Sequence, residues 1–385
     1  MYRYRTALAI LGLWLAACSS GVKQEDFDAA LAEAVCEKYV RCGVSHDEDS
    51  CKRNQLQGFI GQRGLTQYRE DFRAGRIRYD ATAASACLEK IRTGTCDAHP
   101  LSSRRFLPGV GMSVDCRFLF GEVEDGEPCH GSGECGDRSA CTSVSLSSCG
   151  TCQPRRAEGM PSASPTLCEE GLVYSQSTCR KPLAEGESCA DSGASGQELC
   201  EQGLICDQDT QRCRRPAAQG EACGSWGSGC HWTLTCIDDT CQPPRGLGAD
   251  CTAEPRSNPS FPIFDSSQCQ QELFCDAEPG APGKCRELLE EGASCRDFRA
   301  CDRGLSCDGL DPSSTQPGTC RRLAGQDEDC TERFCDGRFY CAQASNTCQP
   351  RRQFGEPCAD EPTACVLGTT CAQGTCSGPD PSCRP

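Results

Sequence analysis

Two hydrophobic patterns divide this chain. Up to about residue 116, apolar side chains return every three or four positions. Phe27, Leu31, Ala34, Val35 and Tyr39 would line one face of a helix that Gly43 ends. Ala84, Cys87, Leu88 and Ile91 follow the same period after Asp80, a residue suited to cap a helix N-terminus, with Gly94 as the stop. Phe59, Ile60, Leu65, Tyr68 and Phe72 predict a third helix, interrupted by Gly61 and Gly64. Beyond Gly126 the helical period disappears, and a repeat marked by cysteines replaces it.

Seven repeats carry four cysteines each: 129–152, 189–213, 223–241, 251–285, 295–320, 330–348 and 358–376. The second and third cysteines are always six apart. Where full units adjoin, the fourth stands ten before the next unit's first, as from Cys213 to Cys223 and from Cys241 to Cys251. A glycine precedes the first cysteine by three, as Gly126, Gly186 and Gly220 do; Asp327 is the exception, and the placement suggests a turn with positive φ. The other two intervals vary, the first-to-second from five residues (330 to 335) to eighteen (251 to 269). Fixed segments with adjustable loops between them describe a rigid array that presents variable surface loops.

One repeat is incomplete, and its gaps bear on the pairing. Ten residues after Cys152 stands Ser162, and six after Cys168 stands Tyr174, so this second unit lacks its first and third cysteines and keeps Cys168 and Cys179. Pairing first with second, or first with fourth, would strand two thiols there. Pairing first with third and second with fourth lets both losses fall on one bond. The expected bridges are therefore Cys189–Cys206 and Cys200–Cys213, Cys223–Cys236 and Cys230–Cys241, Cys295–Cys307 and Cys301–Cys320, with Cys168–Cys179 alone in the reduced unit. Six further cysteines (36, 42, 51, 87, 96, 116) make an even set in the helical region, with three bridges expected and 15 pairings open. Cys149 and Cys383 remain, and a bridge between them would tie the array's end to its beginning.

Composition explains why bridges are needed. The chain has 39 cysteines in 385 residues. With these taken out of the 37% hydrophobic content, only about a quarter of the chain is apolar, too little for one large core. Cross-links of about 2 to 4 kcal/mol each substitute for burial, and they persist in oxidising compartments. Arg3 and Arg5, the apolar run Thr6–Trp14 and the sequence LAAC ending at Cys18 resemble a bacterial lipoprotein signal. The resemblance implies cleavage after residue 17, lipidation of Cys18, a tether over 18–22 and, with Ser19 next, export to the outer membrane or cell surface. Setting Cys18 aside leaves an even number of cysteines for pairing. The run is too short to span a bilayer. Losing Arg3 and Arg5 makes the mature chain more acidic than its full-length net charge of −16, which excludes nucleic acid as a partner.

The local signature is GE-x-C, a second cysteine, x-x-GL-x-C, then a fourth cysteine followed by Q-P or R-x-P, seen best over Cys200–Cys213 and Cys295–Cys320. It resembles the Dickkopf N-terminal cysteine-rich repeat and the Dickkopf-like repeats of cysteine-rich lipoproteins from gliding myxobacteria. The resemblance covers about two-thirds of the chain. The doubled cysteine of animal Dickkopf and colipase is absent, since Asp207 follows Cys206. The fold class expected is small and disulfide-rich: a disulfide-linked helical domain over 23–120, then eight tandem Dickkopf/colipase-like β-hairpin units over 126–385.

Catalytic signatures are lacking. His46, His99, His130 and His231 lie in no metal or nucleophile motif, and His130 and His231 are read as exposed loop residues. Cys149-Gly150-Thr151-Cys152 is a lone CxxC, read as structural bridging; Asp207, Asp209 and Gln211 alternate as in some calcium loops but lack the glycine and distal glutamate, and read as a turn. No cofactor or metal is expected. Trp226 and Trp232 share one unit, and the longest loop carries Phe261, Ile263 and Phe264; such aromatics either anchor a binding surface or shield nearby disulfides. The expected function is a non-catalytic recognition, adhesion or structural stalk, held to the membrane by lipid and meeting a protein or surface-glycan partner. The rival is a redox- or metal-active protein or enzyme using the helical domain.

Overall fold

The structure, a computed structural model, describes residues 21–377 except 58–59, 61–64, 98, 100–115, 143–148, 191–198, 208, 224–228, 253–267, 279–280, 298–299, 311–315, 332, 353–354 and 366–369. The apolar period yields helix α1, Phe27–Arg41, which buries Phe27, Leu31, Val35 and Tyr39 and passes at Cys42 into Gly43. A short helix, α3, runs Arg69–Arg73, and strand β1, Ile77–Tyr79, leads into helix α4, Ala81–Thr93. The Asp80 carboxylate accepts a 2.9 Å hydrogen bond from the Ala83 amide, and Ala84, Cys87, Leu88 and Ile91 face inward. Strand β2, Leu119–Gly121, pairs antiparallel with β1, placing Phe118 beside Phe27 with ring centroids 4.4 Å apart. These elements share one apolar cluster.

Within the pattern from Phe59 to Phe72, the described residues show Ile60 helical and buried, then a 3-10 turn, Leu65–Tyr68, and α3; Phe59, Gly61 and Gly64 lie outside the described residues. A helix absent from the apolar pattern precedes it: α2, Glu48–Gln57. It buries little beyond Cys51 and Asn54, so no apolar stripe announces it. Its signal is polar instead. The Asp47 carboxylate accepts from the amides of Asp49 and Ser50, and the Cys36–Cys51 bridge ties the helix to α1. Cys42–Cys96 and Cys87–Cys116 complete the region.

From residue 123 onward the described chain is a series of small antiparallel hairpins. Cys206 stands opposite Cys213, Cys236 opposite Cys241, Cys307 opposite Cys320 and Cys341 opposite Cys348. In the first, fifth and sixth units a third strand joins: Pro128–Cys129, Asp250–Thr252 and Ser294–Cys295. The interior of a unit is largely sulfur. Cys189, Cys200, Cys206 and Cys213 form one buried cluster, with Leu183 and Leu204 the partly buried hydrophobics packed on it among the described residues. Such a core is too small to hold a fold by burial, and the covalent bonds do that work.

Candidate recognition surface

The constant intervals follow from hydrogen bonds that recur from unit to unit. Between Cys213 and Cys223, the Ala217 amide donates to the Gly229 carbonyl (2.6 Å) and its carbonyl accepts from the His231 amide (2.9 Å), on either side of Cys230. Three residues on, the Gly220 amide donates to the Cys241 carbonyl (2.8 Å), and the Glu221 carbonyl accepts from the Cys241 amide (2.8 Å). Leu183, Gly186 and Glu187 make the same rungs in the third unit, and Leu289, Gly292 and Ala293 in the sixth. One residue more or less would take these rungs out of register, so the ten-residue segment is built into the unit that follows it. Gly220 has φ 84°, and Asp327 adopts the same left-handed region at 63°, which aspartate tolerates better than most side chains.

The six-residue interval is a turn. Leu204 donates to the Glu201 carbonyl (3.0 Å) across Gly203 at φ 85°, and Leu305 to Asp302 (3.0 Å) across Gly304 at φ 80°. The glutamate of the GE signature also acquires a role that spacing alone did not reveal. Glu187 accepts from the Ala184 amide (2.6 Å), Glu221 from Ala218 (2.7 Å) and Glu328 from Gly325 (2.8 Å), closing the turn before each first cysteine.

The structure joins these cysteine pairs of the array: Cys189–Cys206, Cys200–Cys213, Cys223–Cys236, Cys230–Cys241, Cys295–Cys307, Cys301–Cys320 and Cys168–Cys179. In the reduced unit the backbone rungs persist without the second bridge. Tyr174 stands opposite Cys179, as Cys206 does opposite Cys213. The Ser162 amide donates to Ser177 (2.9 Å), as the Cys223 amide does to Asp239 (3.0 Å).

The array returns to the helical region. Gln271 donates its amide to the Val44 carbonyl (2.8 Å) and accepts from the His46 amide (3.3 Å), while the Gln270 side chain donates to the Gly43 carbonyl (3.0 Å). The Ser45 hydroxyl donates to the buried Glu272 carboxylate, whose pKa burial raises. One unit earlier, Trp232 packs against the helical core, 5.9 Å from Tyr39 and 5.0 Å from His99 between ring centroids, with the Lys38 ammonium 6.0 Å from the indole. Burial, with the Lys38 charge adding to it, brings His99 down to about 4 from an ordinary 6.5. Burial likewise pushes the Tyr39 hydroxyl up. The first unit is fastened separately: Arg76 pairs with Glu134 at 2.6 Å with both side chains buried, and a Cβ at Gly121 would strike the Glu134 and Cys135 backbone.

Trp232 is thus an anchor inside the molecule, where its aromatic surface is used against α1. Trp226, Phe261, Ile263, Phe264, Cys18 and Cys383 lie outside the described residues. His130 and His231, expected in exposed loops, are half-buried: the His130 amide donates to Glu134 within the first unit, and a His231 ring nitrogen lies 3.2 Å from the Asp97 carbonyl oxygen of the helical region. Cys152 of the CxxC is bonded to Cys135, and Cys149 is also disulfide-bonded. Asp207 turns its carboxylate onto the Asp209 and Thr210 amides, consistent with a turn. Sulfurs such as those of Cys189, Cys200 and Cys213 crowd within 4.8 Å of one another, but they are consumed in bridges and are not thiolate ligands. Among the described residues no helix is long and apolar enough to cross a membrane, and the extensive bridging marks an exported protein. No family model, curated protein or solved structure matches the chain.

Proposed function

We propose that this chain is an exported surface lipoprotein, anchored through Cys18, whose Dickkopf-like units act as a non-catalytic recognition module. What carries the reading is the contrast within each unit: the same rungs and crossed bridges recur, while the first-to-second and third-to-fourth intervals change length freely. A frame that tolerates such change while holding its ends fixed is suited to presenting contacts at small ordering cost. The return of units four and five to the helical region refines the expected stalk, because those units spend a face on α1 and its neighbours and leave recognition to the remaining surface.

The test has two arms. Radiolabelled palmitate should enter the wild-type chain and not Cys18→Ala, and the variant should leave the membrane fraction. Immobilised oxidised protein should retain envelope material that a reduced, alkylated sample does not. Retention equal in both samples, or wild-type protein recovered without lipid, contradicts the reading.

A further inference from the structure

The sixth and seventh units enclose a cleft of about 600 Å3, within the range of small-ligand sites. Its lining includes Asp308, Arg333, Leu310, Phe334 and Phe339. Phe334 is 65% exposed, an unusual position for an aromatic ring in a chain with so few. The Asp308 side chain is 5% exposed, and its Oδ1 accepts from the Ser306 hydroxyl. Its Oδ2 has no hydrogen bond, and neither has Arg333 Nε, which faces it at 3.6 Å. The Arg333 side chain keeps 25% of its surface in solvent; its Nη2 donates to the Arg322 carbonyl at 2.7 Å and pairs with the Glu328 carboxylate at 3.5 Å. Both atoms are buried, so a ligand in the cleft reaches them once Arg333 swings aside.

These two atoms select a ligand by elimination. Oδ2 only accepts and Nε only donates, so a hydroxyl inserted between them satisfies both at once. The charges around the cleft balance, Arg333 and Arg351 against Asp308 and Glu328, the last 3.5 Å from Arg333, so the complementary ligand is uncharged. Phe334 adds the need for an apolar face that can lie on a ring. A pyranose has all three properties: hydroxyls on its edge, no charge and a C–H face. We propose that this cleft is a saccharide subsite, with Phe334 as platform and the Asp308–Arg333 pair holding a ring hydroxyl. The assignment rests on the recognition reading and gives it a ligand class. The ion pair at 3.6 Å leaves this buried donor and acceptor without a hydrogen bond in the free protein, and the hydroxyl supplies one to each on binding.

The test is saturation-transfer NMR on the detergent-solubilised full chain, with the methyl glycosides of glucose, galactose, mannose and N-acetylglucosamine as probes and N-acetyltyrosinamide as a non-sugar aromatic alcohol. Transfer to the C–H protons of at least one glycoside is expected, with affinity falling about tenfold in Phe334→Ala and in Asp308→Ala. Phe334 is on the surface, so its variant keeps the fold, which a non-reducing peptide map verifies. Absence of transfer to every glycoside, as an ordered water in the gap would give, overturns the assignment. So does equal binding by both variants, or binding of the tyrosinamide alone. If envelope material is still retained while these probes fail, the cleft assignment falls and the recognition reading stands; loss of retention removes the reading itself.

Discussion

If the reduced unit keeps the frame of its neighbours, its missing bridge can be put back. The double substitution Ser162→Cys and Tyr174→Cys places cysteines at the first and third positions. Intact units hold that pair at Cα separations of 5.8 to 6.0 Å, well inside disulfide range. Ser162 and Tyr174 already make the backbone contacts of those positions. The closed loop would match Cys129–Cys141, whose sequence separation is 12, and closing a loop of that length removes about 3 kcal/mol of unfolded-chain entropy. Against this stands the Ser162 hydroxyl's 2.7 Å hydrogen bond to Ser164, worth about 1 kcal/mol, and the half-buried Tyr174 ring, worth about 1 kcal/mol of packing. A net local gain of about 1 kcal/mol remains.

Because many units cannot be expected to unfold as one, the gain should be read locally. The amides of Gly159, Ser162 and Cys179, which form the rungs, should exchange more slowly by about fivefold, and a non-reducing peptide map should link 162 to 174 while Cys168–Cys179 persists. A map linking 162 to 168 and 174 to 179, or two thiols left open to alkylation, would show that the backbone does not dictate crossed pairing, and the account of the array would fail with it.

Three further outcomes are expected. Trp232→Ala should loosen the fourth unit from α1, costing about 2 kcal/mol, seen as faster proteolysis near residues 94–97 and 229–231 with the disulfide map unchanged. His99 faces Lys38, Tyr39 and Trp232, and its pKa is lowered to about 4 from 6.5; the unfolded imidazole therefore takes its proton first, and stability present above pH 6.5 is lost as the pH falls to about 4, by about 3 kcal/mol in total. His99→Gln should flatten that slope in pH-dependent thermal melts. Arg76→Ala strands the buried Glu134 and should cost about 3 kcal/mol, whereas Arg76→Met combined with Glu134→Leu should cost far less; equal losses in calorimetry would deny the pair its place at the junction.

Much of this architecture was legible because its causes are local. The period from Phe27 to Tyr39 and the Asp80 cap needed only neighbours in sequence, and both helices form there. The crossed pairing was legible for a different reason: the absences at Ser162 and Tyr174 constrain the bonds as the cysteines present do not. α2 was missed because a disulfide and an Asp47 cap, rather than an apolar stripe, hold it. The place of Trp232 could not be read at all, since its partners Tyr39 and His99 are far away in the chain. The Asp308–Arg333 pair is likewise split between two units, so no motif of either unit contains it.

The crossed bridges also explain how this array can vary without losing its form. The first-to-second interval is eighteen residues in the fifth unit and five in the seventh. Yet Cys251 and Cys275 stand 5.9 Å apart between Cα atoms, and Cys330 and Cys341 5.8 Å. Both ends of that loop are fixed by bonds to the hairpin strands, the first cysteine to the third and the second to the fourth, so added residues never enter the frame. Lengthening it from five to eighteen costs only about 1 kcal/mol of closure entropy. The ten-residue segment has no such freedom, because its rungs reach into the next unit. Variation is therefore cheap where a ligand could be met and costly where one unit is registered on another, so differences in recognition should arise in the loops and at the clefts between them, as at Phe334.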